Sequence, residues 1–224
     1  MNHQVILFDI NETVLNLSIL KPTFKQYFRD ENHMDRWFSM LLHSSTVCLV
    51  TDVKTDFKSL ALAALKSIAG RLALTLSDEE YANILNTLAS LPAHSDIKPA
   101  LVKLRAAGFT LIAFSNSSSS LLSSQLTNAG LNEYFDDAIS VESAGTFKPS
   151  NNAYQYAVNK LAVPAKDIRL VAAHDWDTHG ALSAGLKAAF IDRFGAPYNP
   201  LYITPDIIAS TMEGIAEQII KSKR

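Results

Sequence analysis

The sequence of 224 residues is poor in features that would point to several classes of protein. It has one cysteine, Cys48, so it forms no internal disulfide and fits a reducing compartment. Its formal net charge is −2, and the lack of a basic surplus argues against nucleic acid as the main partner. Met1–Gln4 lack the stretches of a secretory signal, and no apolar run approaches the roughly 20 residues of a membrane span. We therefore expect a cytoplasmic protein without a membrane partner.

Hydrophobic residues make up 48% of the chain and charged residues 19%, which is typical of a globular protein with a buried core. The length fits one large domain, or a core with a smaller inserted domain. Cys48 lies in the apolar run 46–50, so we expect a small buried hydrophobic residue rather than a nucleophile.

Short apolar runs recur along the chain, as expected of strands buried on both faces of a parallel sheet. They lie at residues 5–8, 110–114, 138–141, 168–173 and 188–191. Helical patterns alternate with them, and Gly108, Gly130 and Gly185 follow three of these patterns as helix C-caps. The alternation predicts an α/β fold with a doubly wound parallel sheet.

Residues 15–91 break this alternation, since they contain helix-like patterns and little that is typical of a strand. Ser77 followed by Glu80 is typical of a capped helix start. The sequence therefore predicts a core domain of residues 1–14 and 92–224 with an inserted all-helical domain at 15–91.

Candidate functional residues follow the predicted strands, where ligands bind in such sheets. Asp9 ends the first strand, and a buried carboxylate costs free energy unless it is paired or used. Asp9 is either a helix cap or a nucleophile, ionised by a cation such as Lys148 and oriented by Thr13. For Lys148 the ordinary alternative is a solvated loop lysine.

Four ordered motifs resemble those of the haloacid dehalogenase superfamily. They are Phe8–Leu15, Ser115–Asn116, Phe147–Pro149 and Val171–Gly185, and together they span most of the chain. The helical insertion after the first motif is similar to the cap domain of the type II, L-2-haloacid dehalogenase branch. The resemblance implies a Rossmann-like core with a helical cap, and a hydrolase that uses an aspartate nucleophile.

Two positions set this chain apart from the magnesium-dependent phosphatases of the superfamily. Those enzymes have a second aspartate where this chain has Asn11, whose amide cannot exchange a proton at neutral pH. They also have an acid at the position of Ala173, which cannot ligate a metal. The resemblance favours a branch without metal ion or cofactor, although Asp9, Asp175 and Asp177 leave an atypical magnesium site open.

The resemblance implies roles for the matching residues. Asp9 would displace halide from C2 and form an ester, and Asp177 would position or activate the water that opens it. Lys148 would hold the nucleophile and the substrate carboxylate together with Thr13 and Ser115. The other residues implied at the substrate are Ile10, Asn11, Asn116, Tyr154, Trp176 and Phe57, the last two being equally ordinary as core aromatics.

The chain departs from the family pattern in two places. The family has serine and asparagine where this chain has Ala172 and His174. We expect His174 to polarise water in place of the asparagine, although a lone histidine is more often packed or solvated. The family's halide-binding arginine follows a tryptophan, but here Trp37 precedes Phe38, which we place at the substrate. Arg36 would lie on a different helix face.

Three functions are open at this point. The leading one is hydrolytic dehalogenation of short 2-haloalkanoic acids through an aspartyl ester without a metal. The alternative is hydrolysis of another small substrate on the same scaffold, such as a phosphate ester. A non-catalytic regulatory protein is the third, and the joint presence of Asp9, Thr13, Lys148 and Asp177 speaks against it. The expected partner is a small haloacid-like molecule, and the apolar insertion helices are compatible with a homodimer.

Overall fold

The computed structural model describes residues 4–222, so most of the N-terminal stretch considered above lies outside the described residues. Its strands are β1 Val5–Asp9, β2 Thr110–Ser115, β3 Asp137–Ser140, β4 Ile168–Ala172, β5 Lys187–Ile191 and β6 Ile207–Ala209. They form one parallel sheet in the order β3-β2-β1-β4-β5-β6. The predicted fold class is confirmed.

Two layers of helices cover the sheet. The helices are α1 Lys21–Phe28, α2 His33–Thr51, α3 Phe57–Arg71, α4 Asp78–Asn86, α5 Ile97–Ala106, α6 Ser119–Asn128, α7 Asn151–Leu161, α8 Asp175–Ser183 and α9 Met212–Ser222. Side chains of α5, α6 and α9 pack with Ile6 and Phe8 of β1 in one buried cluster, and those of α7 and α8 pack with Val5 and Leu7 in another. Successive residues of a strand point to opposite faces, so a strand covered on both sides is apolar throughout.

Helices α1 to α4 lie between β1 and β2 in the chain, within the residues 15–91 that the sequence predicts as a helical insertion. Helix α2 packs along α3, where the indole N–H of Trp37 donates to the carbonyl oxygen of Ala61 over 2.9 Å. The predicted capping box of Ser77 and Glu80 is present at the start of α4. Among residues 4–222, none of the helices combines the length and apolar content of a membrane-crossing segment.

Cys48 lies in the second half of α2 and is half-buried, not fully buried as predicted. The apolar run that contains it winds around a helix, so Val47 and Val50 face solvent while Cys48 and Leu49 pack partly against the core. Continuous apolar residues bury completely in a covered strand, but not in a helix with one exposed side.

Candidate active site

The candidate site lies at the carboxyl edge of the sheet, where candidate residues follow three neighbouring strands. Asp9 ends the central strand β1, which pairs in parallel with β2 on one side and with β4 on the other. Parallel strands end at the same edge, so Ser115 at the end of β2 and His174 after β4 flank Asp9. The topology thus brings together residues that are far apart in the sequence.

Lys148 joins Asp9 and Asp177 in a buried group that we call the Lys148 cluster. Its ammonium nitrogen lies 2.8 Å from Asp9 Oδ1 and 2.6 Å from Asp177 Oδ2, and its side chain is 1% exposed. A third contact, of 3.4 Å, joins the same nitrogen to the carbonyl oxygen of Phe114. All three ammonium donors are therefore engaged, and the alternative of a solvated loop lysine is excluded.

The Lys148 cluster shifts the pKa values of its two carboxylates in opposite directions. Burial alone would raise the pKa of Asp9, but Lys148, with smaller contributions from His174 and Thr13, holds that pKa below its usual range. Burial, opposed by Lys148 and reinforced by the charge of Asp9, places the pKa of Asp177 above its usual range. Burial would lower the pKa of Lys148, but the two carboxylates hold it above its usual range. Asp9 therefore carries the charge that a nucleophile needs.

Asp177 lies in the first turn of α8, and both of its carboxylate oxygens are occupied. Lys148 donates to Oδ2, and the hydroxyl of Tyr154 donates to Oδ1 over 2.7 Å. Tyr154 is completely buried, and burial holds the pKa of its hydroxyl well above the usual range. A Cβ atom at Gly180 would lie only 2.5 Å from the hydroxyl oxygen of Tyr154, so this glycine makes room for the contact. Tyr154 therefore supports Asp177 from inside the core.

Thr13 orients Asp9 from the loop after β1. Its hydroxyl donates to Asp9 Oδ2 over 2.6 Å and accepts from the backbone N–H of Ala173 over 2.8 Å, which fixes the direction of its hydrogen. The guanidinium of Arg193 donates to the carbonyl oxygen of Thr13 over 3.0 Å and ties the loop to the end of β5. The role predicted for Thr13 at the nucleophile agrees with this geometry.

Ser115 and Asn116 shape the loops around Lys148. Asn116 Oδ1 accepts from the backbone N–H of Lys148 over 2.8 Å and so holds the loop that carries the lysine. Ser115 Oγ accepts from the backbone N–H of Ser117 over 3.1 Å and stabilises the turn after β2. Both side chains are buried, and both hydrogen bonds are with backbone N–H groups of the protein.

The side chains of Ile10 and Asn11 contact other parts of the protein. The side chain of Ile10 is completely buried in the core. Asn11 Oδ1 accepts from Gln125 over 3.0 Å, and Asn11 Nδ2 donates to Ser117 Oγ over 3.3 Å, so its amide is tied to α6 and the β2 loop. Only the backbone carbonyl of Asn11 approaches the site, 3.3 Å from His174 Nε2.

Glu12 belongs to the site although the sequence analysis did not identify it. Its carboxylate Oε2 lies 3.5 Å from His174 Nε2, and the same nitrogen lies 3.8 Å from Asp9 Oδ2. Glu12 has a backbone φ of 66°, a left-handed conformation that is uncommon outside glycine. The only sequence signal was a carboxylate three residues after Asp9, at the end of the first predicted strand.

Aromatic rings from the insertion and from α8 cover His174. Trp176 stacks on the imidazole with ring centres 5.1 Å apart, and Phe38 of α2 approaches it at 6.0 Å. Arg36 is exposed on another side of α2. Phe57 lies elsewhere, at a cavity of about 210 Å³ between α3 and α6. The structure thus brings Phe38 and Trp176 to the site and places Phe57 outside it.

Two cavities adjoin the site and differ in charge. One of about 490 Å³ is lined by Lys148, His43 and Trp176 among others, and its lining, all within residues 4–222, holds no carboxylate. The other, of about 340 Å³, is lined by His174 and by the four carboxylates Glu12, Asp35, Asp175 and Asp192. An anion is therefore repelled less from the first cavity than from the second.

The residues at the site do not fit a magnesium ion. Mg²⁺ requires several hard oxygen ligands in near-octahedral geometry. Lys148 already bridges Asp9 and Asp177, and the amide oxygen of Asn11 accepts from Gln125. In the part of the chain that the structure describes, no three His, Cys, Asp or Glu side chains are grouped as a metal site.

Comparisons with known proteins identify chains that are similar to this one. The family profile of haloacid dehalogenase-like hydrolases matches residues 3–185. An (S)-2-haloacid dehalogenase of Pseudomonas putida is 25% identical over 99% of this chain and 98% of its own length. A haloacetate dehalogenase of Moraxella sp. is 24% identical over 96% and 97%. The crystal structure of an L-2-haloacid dehalogenase from Xanthobacter autotrophicus, with chloropropionic acid covalently bound, has a TM-score of 0.91 at 21% identity, covering 97% and 98%.

Proposed function

The chain belongs to the haloacid dehalogenase-like hydrolases, and we propose that it hydrolyses short 2-haloalkanoic acids through an ester on Asp9, without a metal ion. The observation that carries this proposal is the buried Lys148 cluster, in which Asp9 is ionised and oriented by Thr13. The names of the relatives, which are (S)-2-haloacid and haloacetate dehalogenases, support the substrate class.

In the first half-reaction, we propose that the Asp9 carboxylate attacks C2 of the substrate from the side opposite the halogen. The new C–O bond forms as the carbon–halogen bond breaks, and the halide leaves with the electron pair. No proton moves, so no general acid is required. This requirement suits Asn11, which cannot supply a proton. The configuration at C2 is inverted.

In the second half-reaction, water adds to the acyl carbon of the ester. The tetrahedral intermediate carries its negative charge on Oδ1 of Asp9, the atom to which Lys148 donates over 2.8 Å. A fixed cation at the position where charge develops stabilises the transition state more than the ground state. Collapse releases the 2-hydroxy acid and restores Asp9.

We propose that the substrate enters through the 490 Å³ cavity beside Lys148, since a haloacid carries a carboxylate. The three N–H donors of Lys148 are already engaged. A direct hydrogen bond from Lys148 to the substrate carboxylate would therefore replace an existing one.

The remaining site assignments are also part of the proposal. Asp177 acts on the nucleophile through Lys148, and His174 acts in the hydrolytic half-reaction. Substrate contacts are proposed for Trp176 and Phe38. The other residues predicted at the substrate are proposed to support the site from behind, because their side chains are buried or bonded to protein groups; they are Ile10, Asn11, Ser115, Asn116 and Tyr154. Phe57 is left outside the site because it lies at a separate cavity. The division into a core and a cap at 15–91, the cytoplasmic location and the homodimer stay predictions from the sequence.

Halide release should not depend on divalent metal, because Lys148 neutralises the charges that a metal ion would otherwise balance. We expect equal rates of chloride release from 2-chloropropionate before and after EDTA treatment, measured with a chloride electrode. Added Mg²⁺ should not increase the rate, and a phosphate monoester should not be hydrolysed. If chelation abolishes activity and Mg²⁺ restores it, the phosphatase alternative is correct.

The covalent route predicts where the oxygen of water goes. In H₂¹⁸O with protein in excess over substrate, one ¹⁸O should enter Asp9 and the released 2-hydroxy acid should contain none. Mass spectrometry of the peptide that contains Asp9 measures the label, and chiral chromatography should show inverted product. Direct attack of water on C2 would label the product in the first turnover and leave Asp9 unlabelled.

A further inference from the structure

Hydrolysis of the ester requires a group that takes a proton from water, and Asp177 is poorly placed for this. Its two oxygens accept from Lys148 and Tyr154 at 2.6 and 2.7 Å, and its side chain has no exposed surface. A water molecule could reach it only by displacing one of these donors. Asp177 is therefore suited to position Lys148 rather than to act as a base.

His174 presents a donor toward Asp9. Its Nε2 lies 3.3 Å from the backbone carbonyl of Asn11, and a carbonyl oxygen only accepts, so this contact requires a hydrogen on Nε2. The same nitrogen faces Asp9 Oδ2 and Glu12 Oε2. A nitrogen that carries its hydrogen cannot take another proton, but it can hold a carboxylate in place.

Glu12 is the acceptor that the site otherwise lacks. Its left-handed backbone, with φ of 66°, is strained for a residue with a side chain, and such strain is concentrated at functional sites. The conformation is held by the ring of His94, whose Nε2 lies 3.1 Å from the carbonyl oxygen of Glu12. Glu12 Oε2 and Asp9 Oδ2 lie 3.5 and 3.8 Å from the same nitrogen of His174, so both carboxylates face one edge of the imidazole ring.

On the basis of the proposed dehalogenase function, we propose that Glu12, which faces Nε2 of His174 beside Asp9, is the general base of ester hydrolysis. Glu12 takes one proton from water while the water oxygen bonds to Cγ of the Asp9 ester. When the tetrahedral intermediate collapses, the bond from Cγ to the substrate oxygen breaks. Glu12 then returns its proton to the alkoxide of the leaving 2-hydroxy acid. The carboxylic acid left on Asp9 releases its proton to solvent.

The charges around Glu12 suit this role. Burial raises the pKa of Glu12, His174 opposes the rise, Asp9 and Asp35 add to it, and Lys21 opposes it weakly, leaving that pKa above the usual range. A base works best when its pKa is close to the working pH. Because Glu12 must be deprotonated to act, turnover should fall as the pH falls through this raised pKa.

Glu12→Gln tests the proposal, since glutamine keeps the shape and hydrogen bonding of the side chain but cannot take a proton. On rapid mixing with 2-chloropropionate, we expect a halide burst of one equivalent at the wild-type rate. Steady-state turnover should fall by about 10²–10⁴-fold, and intact mass spectrometry should show ester on the protein. The acidic limb of the wild-type pH profile should disappear.

Two further variants separate a base from a structural residue. Glu12→Gly should raise the unfolding temperature, since glycine adopts positive φ without strain, and yet be as slow in turnover as Glu12→Gln. Asp137→Asn removes an exposed carboxylate that pairs with Lys160 over 3.3 Å, away from Glu12, and should turn over as fast as wild type.

Unchanged turnover in Glu12→Gln would overturn the assignment of Glu12 and leave the proposed function standing. Loss of its burst would also overturn the assignment, because Glu12 would then act in binding or in the first half-reaction. If the wild-type protein releases no halide and forms no ester, the proposed function fails and the assignment of Glu12 fails with it.

Discussion

Replacing Asp9 by asparagine should lower dehalogenase turnover by on the order of 10⁴-fold or more, because a neutral amide does not displace halide. The fold should persist, since Asp9 shares Lys148 with Asp177 and its loss leaves one positive and one negative charge in the cluster. We expect the free energy of unfolding to change by no more than about 1–2 kcal/mol.

Halide release, intact mass spectrometry and thermal unfolding measure the three parts of this expectation for Asp9→Asn. Asp192→Asn is a matched control, because Asp192 also follows a sheet strand but accepts from the backbone of Phe194 and Gly195 and has no contact with Lys148. It should retain turnover. Covalent adduct or near-wild-type turnover in Asp9→Asn would rule out covalent catalysis by this residue.

The sheet was largely predictable because its strands are covered on both faces. All five predicted runs begin and end within one residue of an observed strand. Four share one end with β1, β2, β4 or β5, and the run at β3 is displaced by one residue. The sixth strand, β6, was missed since Ile207–Ala209 has only three residues and one of them is exposed. Three residues give too short a pattern to distinguish a strand from a loop.

Some residues of the site could be predicted from the sequence, but the contacts between them could not. Residue type and position at strand ends identified Asp9, Lys148 and Asp177. The contacts that join them span 139 and 29 positions in the sequence, so which carboxylates share Lys148 depended on how the loops fold together. These contacts also show that all three N–H donors of Lys148 are engaged. A direct hydrogen bond from Lys148 to the substrate carboxylate, expected from the sequence, would therefore have to replace one of them.

Glu12 illustrates a different limit. Its role depends on a positive backbone φ and on the imidazole of His174, which follows the neighbouring strand β4. Neither feature can be predicted from the residue type. A left-handed conformation would more readily be expected at a glycine, asparagine or aspartate. Phe57 and Tyr154, by contrast, were assigned by resemblance, and the structure places one at another cavity and the other behind Asp177.

Lys148→Met should reduce both stability and activity, because methionine fills the space but leaves two buried carboxylates without a cation. Breaking a buried ion pair on one side costs about 3–5 kcal/mol of unfolding free energy. Without the ammonium, the pKa of Asp9 rises and the nucleophile becomes protonated. Loss of a fixed charge at Oδ1 should lower kcat by a further 10²–10³-fold or so, about the effect of removing one oxyanion donor.

The control variants for Lys148→Met distinguish the effect of losing a buried lysine from that of losing an exposed one. Lys54→Met removes an exposed lysine that pairs with Asp52 over 2.6 Å, and such surface pairs contribute little, so neither stability nor turnover should change. Adding Asp177→Asn to Lys148→Met removes one of the unpaired carboxylates and should recover much of the stability but none of the activity. Recovery of activity as well would show that Lys148 has no part in the chemistry.

The stability defect of Lys148→Met should depend on pH in a defined direction. In the wild type the pKa of Asp9 is lowered by folding, so its contribution is present above the unfolded-state pKa and is lost as the pH falls through the folded one. In the variant, burial and mutual repulsion raise the pKa values of Asp9 and Asp177. Their contribution is then present at low pH and is lost as the pH rises.

Urea unfolding at a series of pH values should therefore show a large difference in unfolding free energy between the two proteins at neutral pH. This difference should shrink toward about pH 4, near the ordinary aspartate pKa. A difference that stays constant with pH would mean that Lys148 stabilises the fold by packing and not by its charge.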